Sequence, residues 1–229
     1  RWQNFAAAVA AALVLVIGGS FFGWQYANAP DSLVDIDVNP SVQLTVSRNE
    51  KVLSCEALNA DGTEIIDDMD LRGSPLNVAV NALIGSMLRN GYLSELANSI
   101  LVSVDCDDPV RSAELQQKLT DEINQLLQNN LSGGSVLSQT ISANTELQQL
   151  ADDYGITLGK AQLIQEIVNQ DPRYAFKDLA ALSINDLNLL HNADVSTPDT
   201  IETVGSASDK AYIGEESAKA AALAHAGLS

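Results

Sequence analysis

The sequence is short of sulfur, of imidazole and of positive charge. Its 229 residues include 2 Cys and 2 His, too few for a disulfide scaffold or a Cys/His zinc cage. Lys and Arg number 12 against 30 Asp and Glu, so the formal charge is 12 − 30 = −18. Phosphate backbones are held by clustered Lys and Arg, so this balance excludes direct nucleic-acid binding. There is no Gly-rich phosphate loop. His191 and His225 have no Cys or paired carboxylates at ligand spacing, which leaves neither a metal site nor a Ser-His-Asp triad. A hydrolase therefore fails for want of a convergent catalytic set. Asp105-Cys-Asp-Asp108 is acidic but lacks the Gly and terminal Glu of a calcium loop, and reads as a solvated loop.

Charge is also absent locally. Arg1 is the only charged residue before Asp31, which leaves 11 basic and 30 acidic residues beyond it, or −19. Within the neutral part, residues 5–24 read FAAAVAAALVLVIGGSFFGW, long enough for a helix of about 30 Å, the thickness of a hydrocarbon core. Trp2, Trp24 and Tyr26 sit near its ends, where amphipathic rings favour the interface. A transmembrane helix is expected over residues 5–26, with residues 1–4 ending a cytoplasmic segment and the acidic bulk outside. The competing reading is a secretory signal peptide, because Ala27-Asn28-Ala29 is like a cleavage site; the length and the aromatic flanks favour the span. Since the sequence opens on Arg rather than Met, a preceding portion is expected.

Residues 31–142 are expected to form an α+β domain, an antiparallel sheet with packed helices. Residues 33–38 and 41–47 alternate as strands, with Val42, Leu44 and Val46 on one face. Asn39-Pro40 and residues 48–50 read as turns, and residues 51–58 as a third strand ended by a turn at Asn59-Ala-Asp-Gly62. Ser74 is the expected cap of a helix that begins at Pro75 and stops at Gly91. A fourth strand spans residues 98–105, and Asp108 caps a helix over residues 109–130. Residues 135–142 alternate as a fifth strand. A helical extension is expected over residues 143–192 and a Ser/Thr/Asp/Pro/Gly linker over residues 193–210. An amphipathic helix is expected over residues 211–229, with nothing after it to pack on.

The stretch Val34-Asp-Ile-Asp-Val-Asn-Pro-Ser-Val-Gln-Leu44, with Arg48-Asn-Glu-Lys-Val52 and Leu58-Asn-Ala-Asp-Gly62, resembles the extracellular middle domain of RsgI-type anti-sigma factors. Tyr154-Gly-Ile-Thr-Leu-Gly-Lys-Ala-Gln-Leu-Ile164 and Asp171-Pro-Arg-Tyr174 resemble the helical part that comes after it in that family. The resemblance implies a bitopic anti-sigma factor, N-terminus in the cytoplasm, whose missing cytoplasmic domain binds a sigma factor of the sigma-I type. It implies an outer region that senses an envelope or polysaccharide signal, release through an intramembrane protease, and no cofactor or metal. The tail from Tyr212 to Gly227 resembles the first helix of a PepSY domain, truncated here. The alternative reading is a secreted or membrane-anchored PepSY-containing module that binds wall material or restrains a peptidase, with no anti-sigma role.

The resemblance also implies self-cleavage at Asn39–Pro40. The chemistry is available: an Asn amide nitrogen can attack its own main-chain carbonyl, forming a succinimide and expelling the next residue's nitrogen, and Pro supplies a tertiary amide. Asp37 and Ser41 are candidates to assist proton transfer. The structural alternative is an ordinary hairpin turn, for which Asn and Pro are favoured. Cys55 and Cys106 lie on the third and fourth strands. A disulfide between them is allowed if those strands are neighbours, and the alternative is two buried apolar thiols.

Overall fold

Period-2 alternation builds the centre of the molecule. In the computed structural model, β1 (Pro30–Asp37), β2 (Ser41–Ser47) and β3 (Val52–Ala57) form the expected antiparallel meander. The structure describes residues 15–20, 23, 25–67, 69–131, 133–141, 144–192 and 201–206. Val34, Ile36, Val42, Leu44 and Val46 all point to one face and are completely buried. At about 1.5–3 kcal/mol for each large aliphatic side chain, this row is a principal source of the sheet's stability. It is covered by α1 (Ala60–Ile66), α2 (Leu76–Arg89) and, after β4 (Ser99–Cys106), α3 (Pro109–Leu131).

The sheet is mixed rather than antiparallel throughout. Its order is β3-β2-β1-β4-β5-β6. β4 runs antiparallel to β1, but β5 (Ser135–Thr140) runs parallel to β4. The reason is α3, a 23-residue helix that carries the chain back across one face, so the next strand starts from the same end. Asp108 caps α3 as expected, its Oδ1 accepting from Val110 N at 3.0 Å.

The sheet's second face is covered too. After α4 (Thr145–Tyr154), the helices α5 (Leu158–Gln170), α6 (Phe176–Leu179) and α7 (Ile184–His191) pack on it. Leu101 and Leu137 meet Leu163, Ile164, Ile167, Leu179 and Leu187 there. Asn144, Thr157 and Ser183 cap α4, α5 and α7 through their side-chain oxygens.

Three expectations are corrected. β6 (Glu202–Gly205) lies within the stretch read as linker and pairs antiparallel with β5, with Ile201 buried beside it. Four residues of edge strand held by backbone pairing carry no apolar alternation to read. Asn59-Ala-Asp-Gly62 is not a terminal turn: Asn59 is the N-cap of α1. Ser74 does not cap α2, which begins at Leu76 with no side-chain cap. The Ser74 carbonyl accepts from Val52 N at 3.0 Å instead, and Leu76 N donates to the Glu50 carbonyl at 2.8 Å, so the β2–β3 turn takes these groups.

Of the expected span, residues 15–20, 23, 25 and 26 are helical, with Leu15, Val16 and Ile17 exposed. Residues 1–14, 21, 22 and 24 lie outside the described residues. Among the described residues no helix is long and apolar enough to cross a membrane. Residues 193–200 and 207–210 of the expected linker, and the whole expected PepSY helix with His225, also lie outside them.

Candidate functional site

The β1–β2 connection places Asn39 at its apex. Asp37 pairs with Ser41, and Val38 N donates to the Pro40 carbonyl at 3.0 Å, so pairing continues up to the residues that flank Asn39. Asn39 is exposed, while Val38, Pro40 and Ser41 are buried. The first turn of α1 packs against this apex. A Cβ on Gly62 would lie 2.5 Å from the Ser41 carbonyl oxygen, so only glycine allows this approach.

Asn59 ties the two segments together. Its Oδ1 accepts from Gly62 N at 2.7 Å and from Ser41 N at 3.1 Å. These two backbone donors fix the amide's orientation, so its Nδ2 is the group that donates to the Asn39 carbonyl, at 2.8 Å. The carbonyl so engaged is the one that precedes Pro40. The Asn39 side-chain amide Nδ2 in turn donates to Asp61 Oδ2. The Tyr92 hydroxyl approaches Asp61 Oδ1 at 3.0 Å and Glu64 Oε2 at 2.9 Å, sharing its one proton between them. These carboxylates, Glu64 foremost, push the Tyr92 phenol well above its ordinary pKa.

Asp37 points to the other side of the sheet. It is level with Leu101 on the face covered by α5, and its Oδ2 accepts from the Thr157 hydroxyl at 2.6 Å. Asp35 shares that face and accepts from Gln43 Nε2 at 2.9 Å. Both carboxyls are buried, and among the described residues Asp35 Oδ2 and Asp37 Oδ1 meet no donor at hydrogen-bond distance. Burial pushes Asp35 up to about 7, with the neighbouring Asp37 adding to the rise and Gln43 opposing it. Burial pushes Asp37 up to about 6, against the pull of the Ser41 and Thr157 hydroxyls and of Lys160. Lys160 is itself buried, and its pKa is lowered for that reason. α5 can approach this row because residue 159 is glycine: its carbonyl accepts from Gln139 Nε2 at 2.7 Å, and a Cβ there would lie 2.5 Å from Ser103 Cβ.

The expected site residues therefore separate. Asn39, Pro40 and the backbone of Ser41 come together with Asn59 and Asp61, which the sequence pattern assigns to a turn, and with Tyr92, which no motif singles out. Asp37 is engaged by Thr157 instead of the Asn39 amide. The only local signal for Asn59 is its position three residues ahead of Gly62, as an N-cap would be. The disulfide is ruled out by topology. Cys55 on β3 and Cys106 on β4 are free thiols with β2 and β1 between them. Three strand spacings of about 4.8 Å place them far beyond the roughly 7 Å limit for a bridge. Burial and the adjacent Glu56 push the Cys55 thiol up to about 11. His191 closes α7, buried, 3.9 Å from Glu166 Oε2.

The sequence pattern of the anti-sigma factor RsgI-like central domain matches residues 31–166, which hold the whole apex and the α5 face behind it. The chain belongs to this family. Among its relatives in Acetivibrio thermocellus, anti-sigma-I factor RsgI7 is 28% identical over 182 residues, covering 78% of this chain and 33% of that protein. Anti-sigma-I factor RsgI9 is 26% identical over 190 residues, covering 79% of this chain and 26% of its own length. Anti-sigma-I factor RsgI4 is 24% identical over 204 residues, covering 87% and 38%. The RsgI-like chain thus spans roughly a third of the length of these relatives.

Proposed function

We propose that this RsgI-like domain is the outer, signal-receiving part of a membrane-anchored anti-sigma factor, and that it cuts its own chain at Asn39–Pro40. The sigma factor would be bound by a cytoplasmic domain preceding Arg1. The neutral stretch before Asp31 would be the membrane span, a reading supported by the exposed side chains of Leu15, Val16 and Ile17. A polysaccharide or envelope signal received outside would lead an intramembrane protease to the span and free the sigma factor.

One observation carries the reading: the Asn39–Pro40 bond lies at the exposed apex of a hairpin whose first strand is interior to the sheet. Asn39 is exposed at this apex, while a cut there leaves β1 paired with β2 on one side and β4 on the other. Cleavage would create a joint that holds until β1 is withdrawn, which suits a receiver on one side of a membrane that must signal to the other. The test is a denaturing gel and intact mass of the purified chain. Fragments that meet at Asn39 and Pro40 and co-elute under native conditions are expected; a chain that stays whole, or an Asn39→Ala variant cut as fast as wild type, refutes the reading. Co-purification of a sigma-I-type factor with the protein extended upstream tests the anti-sigma role.

A further inference from the structure

We propose that Asp61 is the general base and Asn59 the oxyanion donor for cleavage of the Asn39–Pro40 bond, with Tyr92 as the positioning residue that orients Asp61. This rests on the self-cleavage reading and adds to it the groups that would perform the step.

The contacts around Asn39 fall into three roles. The reacting nitrogen is Asn39 Nδ2, and the acceptor it meets is Asp61 Oδ2. An amide nitrogen is a poor nucleophile until a proton is removed as it attacks, so a carboxylate on that N–H is where a base is needed. The atom that gains negative charge is the Asn39 carbonyl oxygen, and the Asn59 Nδ2–H donates to it at 2.8 Å. Asn59 is itself held by two backbone donors on its Oδ1, so its N–H is aimed before the reaction starts. The second Asp61 oxygen receives the Tyr92 hydroxyl at 3.0 Å, which leaves Oδ2 facing Asn39. The order is nucleophile, base, orienting group, the same logic that activates weak nucleophiles in triads.

The step balances without an added reactant. Asn39 Nδ2 bonds to its own carbonyl carbon and loses a proton to Asp61. The oxyanion is held by Asn59. Its collapse breaks the bond from that carbon to the Pro40 nitrogen, and the proton on Asp61 passes to that nitrogen as it leaves. The products are a fragment ending in a five-membered succinimide at residue 39 and a fragment beginning with the secondary amine of Pro40. Water later opens the ring. The base that accepts the proton is the acid that returns it, so one residue serves both halves of the reaction.

The experiment follows cleavage of the whole chain over time by gel and intact mass, with melting temperature recorded for every variant. Wild type is expected to yield an N-terminal fragment one water lighter than the hydrolysed form at early times. Asp61→Asn keeps an acceptor for the Asn39 amide but no base, and is expected to slow cleavage by about 10²–10⁴-fold. Asn59→Asp keeps the acceptor for Ser41 N and Gly62 N but loses the donor, and is expected to cost about 10²–10³-fold. Formate or acetate is expected to restore cleavage to Asp61→Ala, a rescue that a purely structural role would not give. Tyr92→Phe should slow wild type yet add nothing in the Asp61→Asn background. Wild-type rates in folded Asp61→Asn or Asn59→Asp overturn this assignment and leave self-cleavage standing. Absence of formate rescue together with additive Tyr92 and Asp61 losses also overturns it. An uncut wild type overturns both readings.

Discussion

Raising the pH should weaken this fold, and Asp35 and Asp37 should be the cause. In the unfolded chain both carboxyls return to the ordinary value of 3.8, whereas folding raises them to about 7 and about 6. Between these limits the folded protein binds more protons than the unfolded one, so stability falls as pH rises. The contribution is fully present below about pH 4 and is lost as pH passes through the folded values near 6 and 7. Each tenfold change in proton affinity is worth about 1.4 kcal/mol, so by pH 8 the two rises together oppose folding by roughly 7 kcal/mol relative to pH 4. The groups facing the pair set its limits. Asp105 on β4 adds to the rise at Asp35; Lys160 and Thr157 on the α5 side and Ser41 on β2 restrain Asp37. The assay is chemical or thermal unfolding of wild type and of the Asp35→Asn, Asp37→Asn double variant from about pH 4 to about pH 8. Subtracting the variant isolates the contribution of these two carboxyls. The variant should gain on wild type by on the order of several kcal/mol at the alkaline end relative to the acid end, at about 2–4 °C in melting temperature for each kcal/mol. Parallel curves would refute the reasoning, because they would mean that the two carboxyls titrate alike in folded and unfolded chains.

Gly159→Ala should lower the melting temperature, since its Cβ would lie 2.5 Å from Ser103 Cβ and α5 would have to lift off the sheet; a loss of about 1–3 kcal/mol in unfolding free energy is expected. Thr157→Val should destabilise by roughly 1–2 kcal/mol, because it removes both the α5 cap and the donor to Asp37, and Thr157→Ser should recover most of that. Cys55 and Cys106 should both take an alkylating reagent in denaturant without reductant, as mass spectrometry of the unfolded chain would show; protection of either thiol would contradict the sheet order.

Periodic rows of apolar residues were legible in the sequence. Val42, Leu44 and Val46 declare β2 by their spacing, and Leu115, Leu119, Ile123 and Leu127 declare α3, each row buried as its period requires. The face behind the sheet was not legible. Asp35 and Asp37 alternate with Val34 and Ile36 as a solvent-facing row would, and nothing local says that Thr157 and Lys160, more than a hundred residues on, will cover them. The parallel β4–β5 pair and the edge strand β6 are likewise facts of pairing, not of composition. At the candidate site, Asn39–Pro40 was visible because the two residues are adjacent. Asn59 and Asp61 were hidden in what passes for a turn signal, since Asn, Asp and Gly serve a turn and a capped helix start equally well.

The position of β1 explains how a cut chain could remain a working receiver. β1 is bonded along its length on both sides, and those bonds run across the strand, so a pull along its axis must break them together. Val34 and Ile36 would have to leave a dry core at about 1.5–3 kcal/mol each. At the start of the strand, Asp31 accepts from Arg48 Nε at 3.1 Å and from Arg111 Nε at 2.5 Å. Arg48 also stacks on the Tyr26 ring at 4.1 Å, which binds the end of the preceding helix to the same anchor. Toward the apex, Asp35 and Asp37 hold β1 through Gln43 on the neighbouring strand and Thr157 in the layer beyond. The strand is thus gripped at its entry by charge, in its middle by apolar burial and near Asn39 by two buried carboxyls. As pH rises through the folded values of the pair, the cost of burying two charges outweighs what these hydrogen bonds return, and this end of the strand is held less firmly. Scission at Asn39 would remove covalent continuity at the one point where the sheet supplies none of the holding, and would leave the release of β1 to whatever loosens the other three.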